Sequence, residues 1–548
     1  MKRNEIIDSR IRKSAAFFAP KIHLSRPFHL LPRHCSIILC SLLIFLMSHQ
    51  TLAQYTTVPL DHQVYALLAK GETLQLFSSY ALRILPLDRD TVHRLLVQMS
   101  RKRNRLSYAD QKLLEQMLAE FTDPPPGRPA PPGAEIHALR FEEDEVQLFV
   151  DLRATQTFRF SRNRVEIDQE NLSETRGKIA LRGKIGSHLF FGAEATNTMI
   201  MGSNNLTETF DPSQGRIQVT VGRSIFTDQA TGYLAYKKGR FGFMIGRNYL
   251  AWGSGLLDQL ALSTKNEPMD MLRFTADFKR FRFAYTHARL QGIGDRRYLI
   301  GHRLDFFISK KVQLGIYETL VYAGRGIEPS YLNPILPYHI MEHQLGDRDN
   351  NMVGFDLTAL LPIGMRLYSE IFVDDFSLDF PLGTYWGNKL AYMVGLHWAQ
   401  PLHLKTLELF SSYTRVDPFV YTHADSLNTY SHYGQSLGSR LGPNADRFQL
   451  IFALQPHRDV RWQWSYAFLR KGKGNLFVPH QPQDGPYKGF LRNPVEYTHF
   501  LSFNLKVQMK RDIFLGFDLM LQNRRNANRV PGLNQWERFG RFFLDINY

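Results

Sequence analysis

The sequence predicts a mainly β fold: a large antiparallel transmembrane β-barrel of about 18 strands, with a small N-terminal α-helical domain. Three observations predict it. From residue 141 onward, apolar and polar residues alternate in roughly 18–20 segments of about ten residues, the length a tilted strand needs to cross a bilayer. The segments often pair through very short turns, such as Lys238-Gly239 and Lys279-Arg280. Longer polar stretches intervene near 197–213, 288–300, 322–350, 421–445 and 471–495, so one end has short turns and the other long loops. Finally, the chain ends on an alternating strand whose last residue is Tyr548.

Residues 1–53 read as a secretory leader. Residues 1–34 carry eight Lys/Arg against Glu5 and Asp8. The apolar stretch Ser36–Met47 follows, then a polar exit ending on the small Ala53, where cleavage is expected. The stretch is shorter than the ~18–20 apolar residues a membrane helix needs. The two cysteines, Cys35 and Cys40, both fall in the leader, and no lipobox surrounds Cys40, so neither a disulfide framework nor a lipid anchor is expected. Of the +16 formal net charge, the leader holds +6 and the remainder +10. A basic surface attracts acidic polysaccharide or lipid phosphate, although charge in a lumen needs no specific partner.

Residues 54–122 are expected to form a helical domain on the periplasmic side. Val64, Leu67 and Leu68, then Val92, Leu95, Leu96 and Met99, then Leu113, Leu114, Met117, Leu118 and Phe121 recur at helical spacing. Asp90 reads as an N-cap, and Ser107 with Asp110 as a capping box. The basic run Arg101-Lys-Arg-Asn-Arg105 lacks interleaved aromatics and reads as a solvated turn; no nucleic-acid partner is expected. Residues 123–140 begin with Asp123-Pro-Pro-Pro-Gly-Arg-Pro-Ala-Pro-Pro-Gly133, a semi-rigid Pro-rich linker, and the barrel is expected over 141–548.

Within the barrel, Gly215–Gly222, Phe281–Tyr285, Met365–Ile371, Arg461–Tyr466 and Leu501–Val507 each place apolar or aromatic residues on one face. In the last strand Phe542, Leu544, Ile546 and Tyr548 share one face. A terminal aromatic in this register resembles the signal read by barrel-assembly machinery. A soluble sandwich or propeller is the competing fold; no blade-length repeat is found, and Tyr, Trp and Phe near strand ends favour a lipid-facing surface.

Two groups of segments carry a specific resemblance. One is Gly246-Arg-Asn-Tyr-Leu-Ala-Trp-Gly-Ser-Gly-Leu-Leu-Asp-Gln-Leu-Ala-Leu-Ser263, continuing to Glu267-Pro268. The other is Tyr331-Leu-Asn-Pro334, Gly346-Asp-Arg-Asp-Asn350, Gly354-Phe-Asp356 and Phe372-Val-Asp-Asp-Phe376. Their order resembles the Wzi-type capsule-assembly family of outer-membrane proteins, in a divergent branch. The resemblance implies a barrel with a periplasmic helical bundle, located in the cell outer membrane. It also implies that the chain assembles, attaches or organises surface polysaccharide without catalysis. Membrane lipid or lipopolysaccharide, surface polysaccharide and the barrel-assembly machinery are the partners implied, and no cofactor. Two alternatives stay open: a channel for anionic or hydrophobic solutes, and a structural accessory of a surface motility or secretion apparatus.

On this reading Arg247, Trp252, Gly253, Gly255, Asn333, Asp349, Asn350, Asp374 and Asp375 are the candidate motif or glycan-contact residues. Their physical readings differ. Gly253 and Gly255 suggest a tight bend or close backbone approach. Trp252 suits a girdle, a plug or a sugar-stacking platform. Arg247 is expected to face the lumen and pair with Asp374 or Asp375. Those two are neighbours near a strand end, so only one can face the lumen. Asp347, Asp349 and Asn350 offer oxygen ligands, but without EF-loop spacing they read as loop-turn residues; no metal is expected.

No catalytic constellation assembles from the sequence. His339 and His343 lack the glutamate of H-E-x-x-H, and His423 and His432 lie in a loop. Ser254 is not in G-x-S-x-G, and Lys471-Gly-Lys-Gly474 is too short for a phosphate loop.

Overall fold

A computed structural model describes residues 55–77, 81–122, 133–164, 169–202, 217–222, 224–380, 383–492 and 494–547. The leader, the proline run 123–132 and Tyr548 lie outside the described residues. Eighteen long antiparallel strands close into a ring. It starts at Val146–Arg162 and ends at Gln535–Asn547, which pair directly with each other, Ile546 opposite Ala154. Closure leaves no edge of unpaired N–H and C=O groups, which lipid could not satisfy. Two short strands lie beside the ring. Leu139–Glu143 pairs with the start of the first long strand, and Ile217–Val221 with Ser224–Asp228.

Alternation decides which residues face the lumen. In Arg297–Phe307, Leu299, Arg303 and Asp305 point inward and are buried, whereas Tyr298, His302 and Phe306 point outward. In Met365–Asp375, Arg366, Tyr368, Glu370 and Phe372 are buried inside, while Leu367 and Ile371 are exposed outside. In the last strand Phe542 and Ile546 are exposed on the outer wall, and Asp545 turns inward to Arg153 at 2.6 Å.

The hairpin turns separate into two classes. At one end they are short, as at 186–188, 239–240, 278–280, 308–311, 362–364 and 511–512. At the other, long segments span 249–268, 323–349, 376–388, 417–444 and 472–495. The stretch read from sequence as 288–300 is only the turn 291–296, because Arg297–Phe307 is already strand.

Among the described residues, three α-helices precede the barrel: α1 (Val64–Thr73), α2 (Arg89–Ser100) and α3 (Tyr108–Glu120). The apolar positions at helical spacing form their shared core, with Val64, Leu68, Val92, Leu96, Met99 and Met117 buried. Ser107 caps α3 by accepting the Asp110 amide at 3.0 Å. The cap of α2 is Asp88, which accepts the Thr91 amide at 2.8 Å. Asp90 instead lies in the first turn and pairs with Arg94 at 3.0 Å; an N-cap needs the non-helical backbone that Asp88 has.

The helices seat on the short-turn end. Lys70 donates to Lys405 O at 3.2 Å and pairs with Asp110 at 2.8 Å; Glu72 binds Arg366 at 2.6 Å. Thr73 Oγ1 and His397 Nδ1 are 2.8 Å apart, and the other His397 nitrogen meets Glu408 at 2.9 Å. Leu74, from the end of α1, packs with Ala399 of the wall in one apolar cluster.

Candidate functional site in the barrel lumen

The segment 249–268 does not rise from the rim. It turns into the lumen. Ala251–Trp252 pairs antiparallel with Ile84–Leu85, which arrives from the helical end, and Trp252 also bridges to Leu262. From the long-loop end, 417–444 folds over this segment. Tyr421 and Tyr430 donate their hydroxyls to Leu260 O and Ala261 O, each at 2.9 Å. Trp252, Leu260, Leu262, Met269, Tyr317, Met352, Phe372, Tyr421 and Tyr430 form one apolar core. The lumen of this arc is therefore a packed interior.

Buried charges pin the core to the wall. Arg83 reaches Asp356 at 2.6 Å and Asp305 at 3.6 Å, while Arg303 pairs with both at 2.6 Å. Arg366 spans Glu72 and Ser254 O, so one guanidinium joins α1, the inserted segment and the wall. Glu370 accepts the Tyr317 hydroxyl at 2.8 Å and the Ala261 amide at 3.3 Å. Asp258 accepts from the Ser439 hydroxyl at 2.7 Å and pairs with Arg447 at 3.0 Å. Burial pushes its carboxyl above the ordinary range against the pull of Arg447.

The opposite arc is different. Residues 55–63 and the first strands border a cavity of about 550 Å³. Charged side chains line it, including Asp61, Arg153, Arg176, Lys178, Glu194 and Lys506. Most are paired: Arg153 with Asp61 at 2.9 Å and Lys178 with Glu194 at 2.6 Å. Arg176 meets the Thr198 hydroxyl at 3.3 Å and Lys506 lies over the Phe514 ring at 4.4 Å. Neither has a carboxylate partner among the described residues.

At the cavity edge, Glu135, His137 and Asp151 each bring one ligand atom within 4.8 Å of the others. Arg89 and Arg182 also reach Glu135, at 3.0 and 2.8 Å. Burial alone would raise the Glu135 carboxyl; the two guanidiniums outweigh it and hold it at about 2. A carboxylate already neutralised twice is a poor cation ligand, so the cluster works as an ionic clasp between α2 and the wall.

The sequence-predicted residues do not converge on one site. Arg247 is the clearest departure. It stands opposite Asp270, whose neighbours Met269 and Met271 are buried in the lumen, so Arg247 and Asp270 lie on the outer face. It pairs with Asp270 at 3.1 Å and the Tyr433 hydroxyl at 3.2 Å, not with Asp374 or Asp375. The sequence leaves the sidedness of a short strand undetermined, and a one-residue difference in register reverses it.

Trp252 is 1% exposed, and a Cβ at Gly301 would lie 3.0 Å from its ring. A sugar-stacking platform needs an open ring face, and this ring has none. Gly253 has φ +147°, and a Cβ on Gly255 would sit 2.0 Å from Asp258 O, so both mark close backbone approach.

Asp374 turns inward and accepts the Tyr421 amide; Asp375 turns outward and meets Lys389 at 3.6 Å. Asp349 is buried, bound by Arg325 at 2.5 Å and the Tyr331 hydroxyl at 2.7 Å. Asn350 donates to Asn428 O at 2.9 Å. Asn333 is exposed and accepts the Ile335 amide at 3.1 Å. The buried Arg83–Asp356–Arg303–Asp305 network was missed from sequence. Asp356 lies within a quoted motif, but nothing local in the sequence links it to Arg83.

The family model of the capsule assembly protein Wzi matches residues 227–537. The chain belongs to the Wzi capsule assembly family. Among solved structures, it resembles Wzi of Escherichia coli, described as an outer-membrane protein involved in group 1 capsule assembly and a carbohydrate-binding β-barrel. That likeness has a TM-score of 0.57 at 13% identity and covers 88% of this chain and 97% of that one; it establishes the shared fold. OccAB1 of Acinetobacter baumannii matches with a TM-score of 0.44 at 8% identity, over 73% of this chain and 96% of that one. OprD of Pseudomonas aeruginosa has a TM-score of 0.44 at 10% identity, over 73% and 93%. No curated protein sequence matches the chain. The Wzi match takes in the inserted segment 249–268 and the loops 323–349 and 417–444. The helices and the first three long strands precede it.

Proposed function

We propose that this Wzi-family outer-membrane barrel assembles, attaches or organises surface polysaccharide and catalyses no reaction. The observation that carries this reading is the filled arc of the lumen. Loops from the long-loop end and a segment from the helical end meet in one apolar core. Such a barrel presents a rigid rim to a polymer better than it conducts. In the same reading the helices face the periplasm, and Phe542, Leu544 and Ile546, followed by the aromatic Tyr548, carry the signal read by the barrel-assembly machinery. Deleting the gene should lower retention of capsule or exopolysaccharide on the cells, and the refolded barrel should bind acidic glycans on an array. Unchanged retention together with no glycan binding would overturn the proposal.

One observation favours a channel: the cavity beside Arg176 and Lys506, two cations without carboxylate partners among the described residues. Planar-bilayer conductance separates the readings. A polysaccharide-handling barrel with a packed lumen should pass little steady current; a large anion-selective current would favour the channel.

A further inference from the structure

The segment 323–349 joins Val312–Tyr322 to Asn350–Leu361 at the long-loop end, yet it does not cover the mouth. It lies against the outside of the wall. Tyr317, Thr319 and Val321 point into the lumen, where Tyr317 binds Glu370. Glu318, Leu320 and Tyr322 therefore point outward, as do Tyr285, Ile300 and His302 on the neighbouring strands. This outward patch should face lipid. Instead Tyr331 and Tyr338 of the loop pack on Tyr285, Ile300, Leu320 and Tyr322, and all six are buried.

The patch also contains polar groups that lipid could not solvate. Glu318 sits midway along its strand, and a charge there is costly on a lipid-facing wall. The loop supplies donors: Tyr338 N at 2.9 Å and His339 N at 2.6 Å. Asn351 Nδ2 adds a third at 3.0 Å, and His302 lies at 3.1 Å on one side. Through its other ring nitrogen, His302 meets Pro334 O at 3.1 Å. The loop thus substitutes for water around a carboxylate within the transmembrane wall.

Its opposite face is mainly apolar, with Asn333 and His339 the exposed polar residues between Leu332 and Ile340. Leu332, Ile335 and Ile340 are 47%, 82% and 57% exposed. The outward wall beside it continues with Phe355, Leu357 and Ile371, also exposed. The two ends of the loop are polar: Arg325 pairs with Asp349, and His343 lies 3.7 Å from Asp347. Polar ends with an apolar middle match the gradient from headgroups to acyl chains.

We propose that residues 324–346 form a strap embedded in the membrane leaflet at the long-loop end, with Leu332, Ile335 and Ile340 against lipid acyl chains. The occupant of this face is lipid because the strap interrupts, and then restores, an apolar band that already faces the bilayer.

The test uses the full chain in phospholipid vesicles with Cys35 and Cys40 replaced by serine. A single cysteine at Ile335, and in a second protein at Leu378, carries an environment-sensitive fluorophore. Leu378 is 88% exposed in another long-loop-end segment. The label at 335 should be blue-shifted, and lipids spin-labelled on their acyl chains should quench it several-fold more than the label at 378. Aqueous iodide should do the reverse. Equal iodide access at both positions would overturn the strap, and so would a label at 335 shielded from both quenchers, because a protein partner would then cover it. A third protein, Ile335→Asp with Ile340→Asp, should still close as a barrel but show raised protease cleavage within 324–346. Unchanged cleavage would also count against the proposal.

Discussion

Two long segments leave the same end of the barrel and turn opposite ways. Residues 249–268 turn inward and become the lumen core; residues 323–349 turn outward and lie on the wall. Each brings backbone amides to a wall carboxylate. Ala261 N meets the inward Glu370, and Tyr338 N and His339 N meet the outward Glu318. The comparison teaches that a misplaced charge in a strand's alternation shows where a loop must return. A carboxylate buried on either face of the wall needs donors, and the nearest loop supplies them.

The largest expected effect breaks the inward side. Arg83→Ala removes the cation beside Asp356 and Asp305, leaving Arg303 to neutralise two buried carboxylates. A loss of about 3–5 kcal/mol is expected, read as a lower urea midpoint in micelles. Next is Gly255→Val. Even a Cβ there meets Asp258 O at 2.0 Å, so the inserted segment must shift, at about 1–3 kcal/mol or more.

Paired substitutions sharpen the comparison. Glu370→Ala and Glu318→Ala should each cost about 1–3 kcal/mol by orphaning the donors. Limited proteolysis should open 249–268 in the first and 324–346 in the second. If both open the same segment, the two-sided account fails.

A smaller effect is expected at the clasp on Glu135. Its carboxyl falls from an ordinary 4.5 to about 2 in the folded chain. The stabilisation is therefore complete above 4.5 and is lost as pH falls toward 2. Hydrogen exchange in α2 should rise over that window, and Glu135→Gln should flatten the dependence. The smallest effect is at Asp375, an exposed partner of Lys389. Asp375→Asn should change stability by about 0–1 kcal/mol.

The barrel was legible because alternation is local. Phe542 and Ile546 against Asp545, or Leu367 and Ile371 against Glu370, show two faces in a few residues. The helical core was legible for the same reason: Val92, Leu96 and Met99 repeat within one element. The segments around Trp252 and Asp356 fold into the lumen core and its charge network, but nothing local in them shows those roles. Trp252 looks the same in sequence whether it faces a sugar or a core. Arg247 was placed in the lumen because its short strand carries too few residues to settle which face is which.

By itself, then, the sequence determined the strands, their two faces, the helices and the ends with short and long connections. It did so because hydrophobic periodicity is set by neighbours two or four residues apart. Only the tertiary structure decided that Arg83 pairs with Asp356, that 249–268 enters the lumen and that 323–349 wraps the outside. Those contacts join residues far apart in the chain, and their free energy comes from satisfying buried charge, which no local pattern records.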